Sequence, residues 1–179
     1  MPFRYYIQLK DQIDRWVSAT TALLGKHVVC RRKCDACCQK QFSVSAVEAY
    51  AIAGNFRTLP AEVQIDVRRP KESCAFLLDG ECSIYPDRPV ICRTYGLPAM
   101  LPPDQGSGVH WCELNFTETE SDFELPADTI LGLEALNIKL AAINRLFLEE
   151  TGLDRVRIEM REIPNLDPGV LESSSKARE

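Results

Sequence analysis

Apolar residues recur mostly three or four positions apart in two long stretches of the chain, which is the spacing of an amphipathic helix. The first stretch, residues 5–24, has them at Tyr6, Leu9, Ile13, Trp16, Val17, Leu23 and Leu24. The second stretch, residues 128–151, has them at Ile130, Leu133, Leu136, Leu140, Ile143 and Phe147. A glycine follows each stretch directly, and a glycine in the left-handed conformation commonly ends a helix. The pattern therefore predicts two long helices, over residues 5–24 and 128–151.

Two shorter helices are predicted between the long ones. Ser45 and Glu48 have the spacing of a capping box, in which a hydroxyl and a carboxylate each bind a free backbone N–H at the start of a helix. That helix should run to about Asn55. Residues 61–69 follow one proline and stop before another, and proline is tolerated at the beginning of a helix but not inside it. They predict a third, short helix.

Residues 71–115 have no sustained period, because prolines and glycines interrupt them. These interruptions are Gly80, Pro86, Pro89, Gly96, Pro98, Pro102, Pro103, Gly106 and Gly108. Such a segment is expected to consist mostly of turns and loops. Within it, residues 76–78 and 83–85 stand on either side of an Asp-Gly pair, which predicts a short β-hairpin.

The last part of the chain alternates and then becomes polar. Val156, Ile158 and Met160 alternate with charged residues, which predicts a strand. Residues 164–179 are mostly polar and are predicted to form a disordered tail. With 45% hydrophobic residues, the chain of 179 residues can bury one sizeable core. We therefore predict one domain over residues 1–163, with a mainly α fold and little β structure (small α+β), in which helices pack around the irregular segment 28–115.

Charge and composition limit the function. The formal charge is -5, with 21 Lys and Arg against 26 Asp and Glu, which argues against binding to nucleic acid or to an anionic membrane. No apolar run approaches the roughly 20 residues of a spanning helix, and the first residues lack the apolar region of a secretion signal. A cytoplasmic location is therefore expected. In a reducing compartment, eight cysteines indicate metal binding or redox chemistry rather than disulfides.

The spacing of the cysteines predicts metal ligands. They are Cys30, Cys34, Cys37, Cys38, Cys74, Cys82, Cys92 and Cys112. Two residues separate Cys34 from Cys37, which lets both thiolates reach one metal from a tight turn. Adjacent side chains usually diverge, so Cys37 and Cys38 favour two metals or a multinuclear cluster over a single small ion. Two sites of four cysteines, or one cluster with spare thiols, both fit the spacing.

The candidate ligands are not equivalent. Cys34, Cys37, Cys38, Cys82 and Cys92 rank first, Cys30 and Cys74 second, and Cys112 last. His27 and His110 lie near cysteines, but with eight thiols present an ordinary surface or hydrogen-bonded role is favoured for both. Arg88 and Arg93 are candidates for binding an anionic cofactor or substrate. Fixing the loop through carbonyl or carboxylate contacts is the alternative, and it is favoured.

Three stretches of the sequence together resemble a known family. They are Cys30-x3-Cys34-x2-Cys37-Cys38, Cys74-Ala75-Phe76-Leu77 and Gly80-x-Cys82-Ser83-Ile84-Tyr85-x2-Arg88-Pro89-x2-Cys92-Arg93. The pattern resembles the zinc- or iron-chelating cysteine-cluster proteins, often called YkgJ-like, although these usually have two residues between their first cysteines. It also resembles, more distantly, the larger flagellin lysine N-methylases, whose similar cysteine cluster is associated with iron–sulfur binding. The resemblance implies metal binding more firmly than it implies any reaction.

Three functions follow as hypotheses. The first is a metal-binding protein that carries an iron–sulfur cluster or zinc, and the adjacent Cys37 and Cys38 slightly favour iron–sulfur. The second is a redox or methyl-transfer enzyme with the cluster at its active site, although the sequence has no glycine-rich loop for adenosylmethionine. The third is a structural zinc module that presents a binding surface to a protein partner.

Overall fold

A computed structural model describes residues 2–106, 108–119 and 123–169. Within these residues the helices are α1 (Pro2–Leu24), α2 (Ala46–Phe56), α3 (Ala61–Arg68), α4 (Val90–Thr94) and α5 (Leu133–Thr151). The strands are β1 (Ser43–Ser45), β2 (Leu77–Leu78), β3 (Glu81–Cys82), β4 (Ala99–Met100), β5 (Val109–His110), β6 (Leu131–Gly132) and β7 (Arg157–Glu159). Because helices dominate and the strands are very short, the prediction of a mainly α, small α+β fold is confirmed.

The first three helices agree with the sequence pattern. Helix α1 buries Tyr6, Leu9 and Ile13 on one face, and it ends before Gly25, whose φ is +50°. Helix α2 begins with the predicted capping box, in which the Glu48 carboxylate accepts a hydrogen bond from the Ser45 backbone N–H at 3.0 Å. Helix α3 follows Pro60 directly. These starts and ends are therefore set by local chemistry that the sequence carries.

The prediction for the last long helix is correct at its end and wrong at its start. Helix α5 ends before Gly152, whose φ is +72°, but it begins at Leu133 rather than at residue 128. Residues 127–129 form a 3-10 turn instead, and Leu131–Gly132 pair in parallel with Ala99–Met100. A distant strand therefore takes the residues that local periodicity assigns to the helix.

Three small sheets connect the helices. Strands β1 and β7 pair antiparallel, with Val44 opposite Ile158, which confirms the predicted strand near the end of the chain. Strands β2 and β3 form the predicted hairpin, but the pairing is closer to the turn than expected, with Leu77 opposite Cys82. The third sheet has the order β5-β4-β6. Each sheet brings together segments that would otherwise be loops.

Helices α1, α2 and α5 form the centre of the hydrophobic core. Among the largest fully buried side chains are Phe56, Phe147 and Ile52, and Phe76 and Ile84 join them from the irregular segment. The buried Asn144 of α5 connects two neighbours, because its amide accepts a hydrogen bond from the Val47 N–H and donates one to the Val156 carbonyl. The helices thus support one side of the irregular segment.

The end of the chain is described only to residue 169. Ile163 and Pro164 are buried, and Leu166 packs against the core. Most of the predicted tail, residues 170–179, lies outside the described residues. Across the part of the chain that is described, no helix has the length and apolar character needed to cross a membrane.

Candidate metal centre

Six cysteines line one pocket beside the helical core. They are Cys34, Cys37, Cys38, Cys74, Cys82 and Cys92. They come from a 3-10 turn over Ala36–Gln39 and its approach, from the loop before β2, from β3 and from α4. The pocket encloses about 50 Å³ and has apolar walls, with Phe42, Ile84 and Met160 among its lining residues. Six of the eight cysteines predicted as metal ligands therefore line one pocket, and Cys30 and Cys112 do not.

Backbone hydrogen bonds hold the first two segments together. The Cys74 N–H donates to the Cys38 carbonyl at 2.8 Å, and the Cys38 N–H donates to the Asp35 carbonyl at 2.8 Å. The carboxylate of Glu81, a half-buried residue, forms ion pairs with Arg32 at 3.0 Å and Lys33 at 3.2 Å. These contacts join the turn that carries Cys37 and Cys38 to the loop and the hairpin that carry the next two cysteines.

Helix α4 positions Cys92 although it has only five residues. It starts after Pro89, and the Val90 N–H at its start donates to the buried carboxylate of Glu48 at 2.8 Å. Arg93 extends from the same helix and its side chain is 5% exposed. Its guanidinium donates to Asp14 at 2.5 Å, to the Arg88 carbonyl at 2.6 Å and to the Pro86 carbonyl. Arg93 therefore ties the cysteine loop to α1.

Arg88 lines the pocket itself. Its guanidinium lies 3.6 Å from the centre of the Tyr85 ring, and its Nε donates to the Tyr85 carbonyl at 3.1 Å. A longer hydrogen bond of 3.4 Å reaches the Cys92 carbonyl. The positive charge of Arg88 favours the thiolate forms of Cys37, Cys82 and Cys92. Arg88 is thus the charged group best placed to act on anionic sulfur in the pocket.

Without a cation, the pocket favours neutral thiols. Burial raises the pKa of Cys82 to about 11 and raises the pKa of Cys74 and Cys92 as well. The pKa of Cys37 is raised first by a hydrogen bond with the Cys38 side chain and then by burial. Each thiolate would also repel the others. A bound metal cation reverses this balance, because it deprotonates the thiols that coordinate it.

The donor set fits both zinc and an iron–sulfur cluster. Each takes four thiolates, and six thiols line the pocket. As the side chains stand, no three or more His, Cys, Asp or Glu side chains among the described residues are grouped closely enough to hold a metal ion. Ligation therefore requires the thiols to lie closer to one another than they do here.

Cys30 and Cys112 lie together, outside this pocket. Both approach Gly96, where an added β carbon would come within 2.9 Å of the Cys30 sulfur and 3.2 Å of the Cys112 Cβ. The Cys112 N–H donates to the Gly96 carbonyl at 3.2 Å. Asn115 donates from its amide to the Cys30 sulfur at 3.4 Å. Cys30 is also close enough to Cys34 and Cys37 for their charges to interact, so this pair adjoins the six cysteines that line the pocket.

Comparison with protein families agrees with this geometry. Residues 29–115, about half of the chain, match the family model CxxCxxCC, described as "Putative zinc- or iron-chelating domain". The matched range includes all six pocket cysteines and the separate pair. The chain carries a CxxCxxCC domain. No curated protein and no solved structure matches the chain.

The CxxCxxCC domain of this chain departs from the pattern in its name at the first cysteine. Three residues separate Cys30 from Cys34. They form a turn closed by the Cys34 N–H and the Arg31 carbonyl at 3.0 Å, with Lys33 at a φ of +75°. Such a φ is uncommon for a residue other than glycine. Cys34, which follows this longer spacing, lines the pocket, whereas Cys30, which precedes it, does not.

Neither histidine lines the pocket of the CxxCxxCC domain. The His27 ring contacts Phe116 and Phe123, with ring centres 6.1 and 4.5 Å apart. His110 lies in β5 and is exposed. These positions agree with the ordinary roles that the sequence favours for both histidines.

One residue of the CxxCxxCC domain gives no recognisable signal in the sequence. Asn115 is 2% exposed. Its carbonyl oxygen accepts a hydrogen bond from the Val29 N–H at 2.9 Å, and its amide donates to the Gly96 carbonyl at 2.6 Å. Asn115 therefore joins the start of the domain to the loop after α4. An asparagine in a polar stretch has many ordinary explanations, so only the fold identifies this role.

Proposed function

We propose that this chain is a metal-binding protein whose six-thiol pocket binds an iron–sulfur cluster, with zinc as the alternative occupant. One observation carries the proposal: Cys37 and Cys38 line the same pocket, together with four further cysteines from separate segments. A single zinc ion needs only four thiolates. Adjacent thiols in a larger group are easier to explain if the occupant has several metal atoms.

Four of the six thiols are the favoured ligands. Cys37, Cys74, Cys82 and Cys92 each lie close enough to the other three for their charges to interact. Four thiols are the number that a cubane cluster or a tetrahedral zinc requires. This proposal raises Cys74 above its rank in the sequence analysis. Cys34 and Cys38 line the same pocket and are then available to a further metal atom of a multinuclear occupant.

The proposal also explains how an irregular segment keeps one conformation. Ordering a residue costs roughly 1–2 kcal/mol of backbone entropy, and the segment that carries Cys74, Cys82 and Cys92 has helices and strands of at most five residues. Metal ligation joins distant positions of this segment to the turn at Cys37. The eight cysteines are all free thiols, which suits a reducing compartment, and we place the protein in the cytoplasm.

Anaerobic purification followed by metal and acid-labile sulfide analysis tests the proposal. We expect iron and sulfide in similar amounts, and visible absorption that bleaches with dithionite. Colourless anaerobic protein with stoichiometric zinc and no sulfide would assign the site to zinc. Protein that folds fully without either metal would contradict the proposal.

Serine substitutions test the assignment of ligands. Cys37→Ser and Cys92→Ser should lower the metal content strongly, whereas Cys112→Ser should leave it unchanged. Cys112 is the matched control because it lies in the same CxxCxxCC domain but outside the pocket. Loss of metal from Cys112→Ser together with normal metal in Cys37→Ser would contradict the assignment.

A further inference from the structure

A second cavity opens on the face next to the metal pocket. It is an open cleft with a volume of about 620 Å³, and it lies between the end of α3, the loop before β2 and the residues after β7. Binding sites for small molecules usually enclose about 300–1,000 Å³. The cavity is therefore large enough for a small organic ligand.

Positive charge dominates its lining. Arg68, Arg69, Lys71 and Arg161 line the cavity, and Glu162 is the one acidic residue among the described residues that do so. Glu162 is already engaged, because its carboxylate binds Arg155 at 2.6 Å. The protein as a whole carries a charge of -5. The lining of this cavity has the opposite sign, with four cationic residues and one acidic residue.

Two of these cations are held in position without a carboxylate partner. Arg68 lies 4.8 Å from the centre of the Phe56 ring and donates to the Gln64 carbonyl at 3.2 Å. Lys71 donates to the Leu77 carbonyl at 3.2 Å. Within the described part of the chain neither forms an ion pair. Their charges are therefore available to an anion from solution.

The other two cations form only exposed ion pairs. Arg69 binds Asp66 at 2.8 Å and Arg161 binds Glu159 at 2.5 Å, with all four side chains at least 44% exposed. Exposed pairs of this kind contribute little stability and are easily exchanged. Each arginine also presents several N–H donors in a fixed plane, which suits the two oxygens of a phosphate or carboxylate.

We propose that this cavity binds a small organic anion that carries phosphate or carboxylate groups. Buried Val67 and Ala75 supply an apolar part of its wall, so the ligand combines anionic groups with a short carbon skeleton. The proposal is independent of the metal. It nevertheless connects with the metal pocket, because Ser73 and Arg161 line the cavity while their neighbours Cys74 and Met160 line the pocket.

Isothermal titration of the full-length, anaerobically purified protein tests the proposal. The probes are inorganic phosphate, pyrophosphate and citrate, which separate phosphate from carboxylate recognition. We expect saturable binding of at least one probe that weakens with added NaCl. The double variant R68Q/K71Q should bind at least about tenfold more weakly, since each lost charged hydrogen bond costs that much or more.

A charge-matched control makes the result specific. The variant K139Q/R145Q removes two exposed cations from α5, away from the cavity, and should bind as the wild type does. K71Q alone should weaken binding even if the double variant folds poorly. It removes one part-buried hydrogen bond, from Lys71 to the Leu77 carbonyl, and should therefore disturb the fold little. No saturable binding of any probe, or equal losses in both double variants, would overturn the proposal. Metal content, measured on the same samples, tests the metal centre separately.

Discussion

The helical part of the molecule and its cysteine-rich segment are stable for different reasons. Helices α1, α2 and α5 have 11 to 23 residues and bury large apolar side chains against one another. The segment at residues 71–115 has helices and strands of at most five residues, and its three pocket cysteines, Cys74, Cys82 and Cys92, are only partly buried. Burial is sufficient to explain the first region but not the second.

Unusual backbone conformations also distinguish the cysteine-rich part of the chain from the helical part. Among the described residues, those other than glycine with positive φ are Lys33, Asp79 and Phe116. All three lie within the CxxCxxCC domain or directly after it. Conformations of this kind cost of order 1–3 kcal/mol each and persist only where the surroundings impose them. A metal bound by the neighbouring thiols supplies such a constraint, so removing it should affect the two regions unequally.

Chelation of the metal should give the largest effect. Structural thiolate sites contribute apparent free energies of about 10–16 kcal/mol, so the melting temperature should fall by more than about 20 °C. Hydrogen exchange should show the first loss of protection in the cysteine-rich segment, and α1 and α5 should stay protected longer. An unchanged melting transition in metal-free, reduced protein would remove the distinction between the two regions.

A cavity in the helical core should show the opposite pattern. Phe147 is 1% exposed and packs edge-on against the Phe3 ring, with ring centres 5.3 Å apart. Phe147→Ala should cost about 3–5 kcal/mol, measured by urea unfolding. Metal content should remain normal, because Phe147 does not line the pocket. Loss of metal from this variant would show that the core and the site fold as one unit.

Two buried asparagines allow a direct comparison of the regions. Asn144 joins α2 to the segment before β7, and Asn115 joins Val29 to Gly96, each through one accepted and one donated hydrogen bond. Replacement by alanine should cost about 1–3 kcal/mol for each backbone group that loses its partner. Asn144→Ala should destabilise the protein with or without metal, whereas Asn115→Ala should do so only while metal is bound. Equal effects of Asn115→Ala in both states would contradict this.

Alanine substitutions at two glycines, Gly96 and Gly54, should change the free energy of unfolding by smaller amounts and in opposite directions. Gly96 has a φ of +93° and lies against Cys30, so Gly96→Ala should destabilise by of order 1–3 kcal/mol. Gly54 lies inside α2 with nothing within 4 Å of an added β carbon, so Gly54→Ala should stabilise by about 0.4–1 kcal/mol. Urea unfolding measures both. A neutral Gly96→Ala would mean that the Cys30 loop adjusts freely.

The sequence predicts the helical region well because its information is local. The capping box at Ser45 and the glycines after Leu24 and Thr151 set the ends of helices without help from distant residues. The start of α5 is the exception. It depends on pairing between Leu131 and Ala99, far apart in the chain, and no local period reports such pairing.

The site is predictable in its chemistry and much less so in its arrangement. Spacing identifies all eight cysteines as candidates, but only the fold separates Cys30 and Cys112 from the six that line the pocket. The sequence analysis also predicts only turns and a short hairpin at residues 71–115, and it therefore misses helix α4. Its start depends on Glu48, which lies in another helix. Residues in irregular segments are positioned by single long-range contacts, and these leave no periodic signal.

Two carboxylates that form ion pairs near the surface, at Glu81 and Glu149, should give the smallest difference between the two regions. Glu81 bridges Arg32 and Lys33 next to the pocket, whereas Glu149 pairs with Arg145 along α5. Neither Glu81→Gln nor Glu149→Gln should change the melting temperature much, because water screens exposed ion pairs. Glu81, however, joins the turn before Cys34 to the hairpin at Cys82. Glu81→Gln should therefore speed the transfer of metal to a competing chelator, and Glu149→Gln should not. Equal transfer rates in the two variants would mean that the bridge does not restrain the pocket.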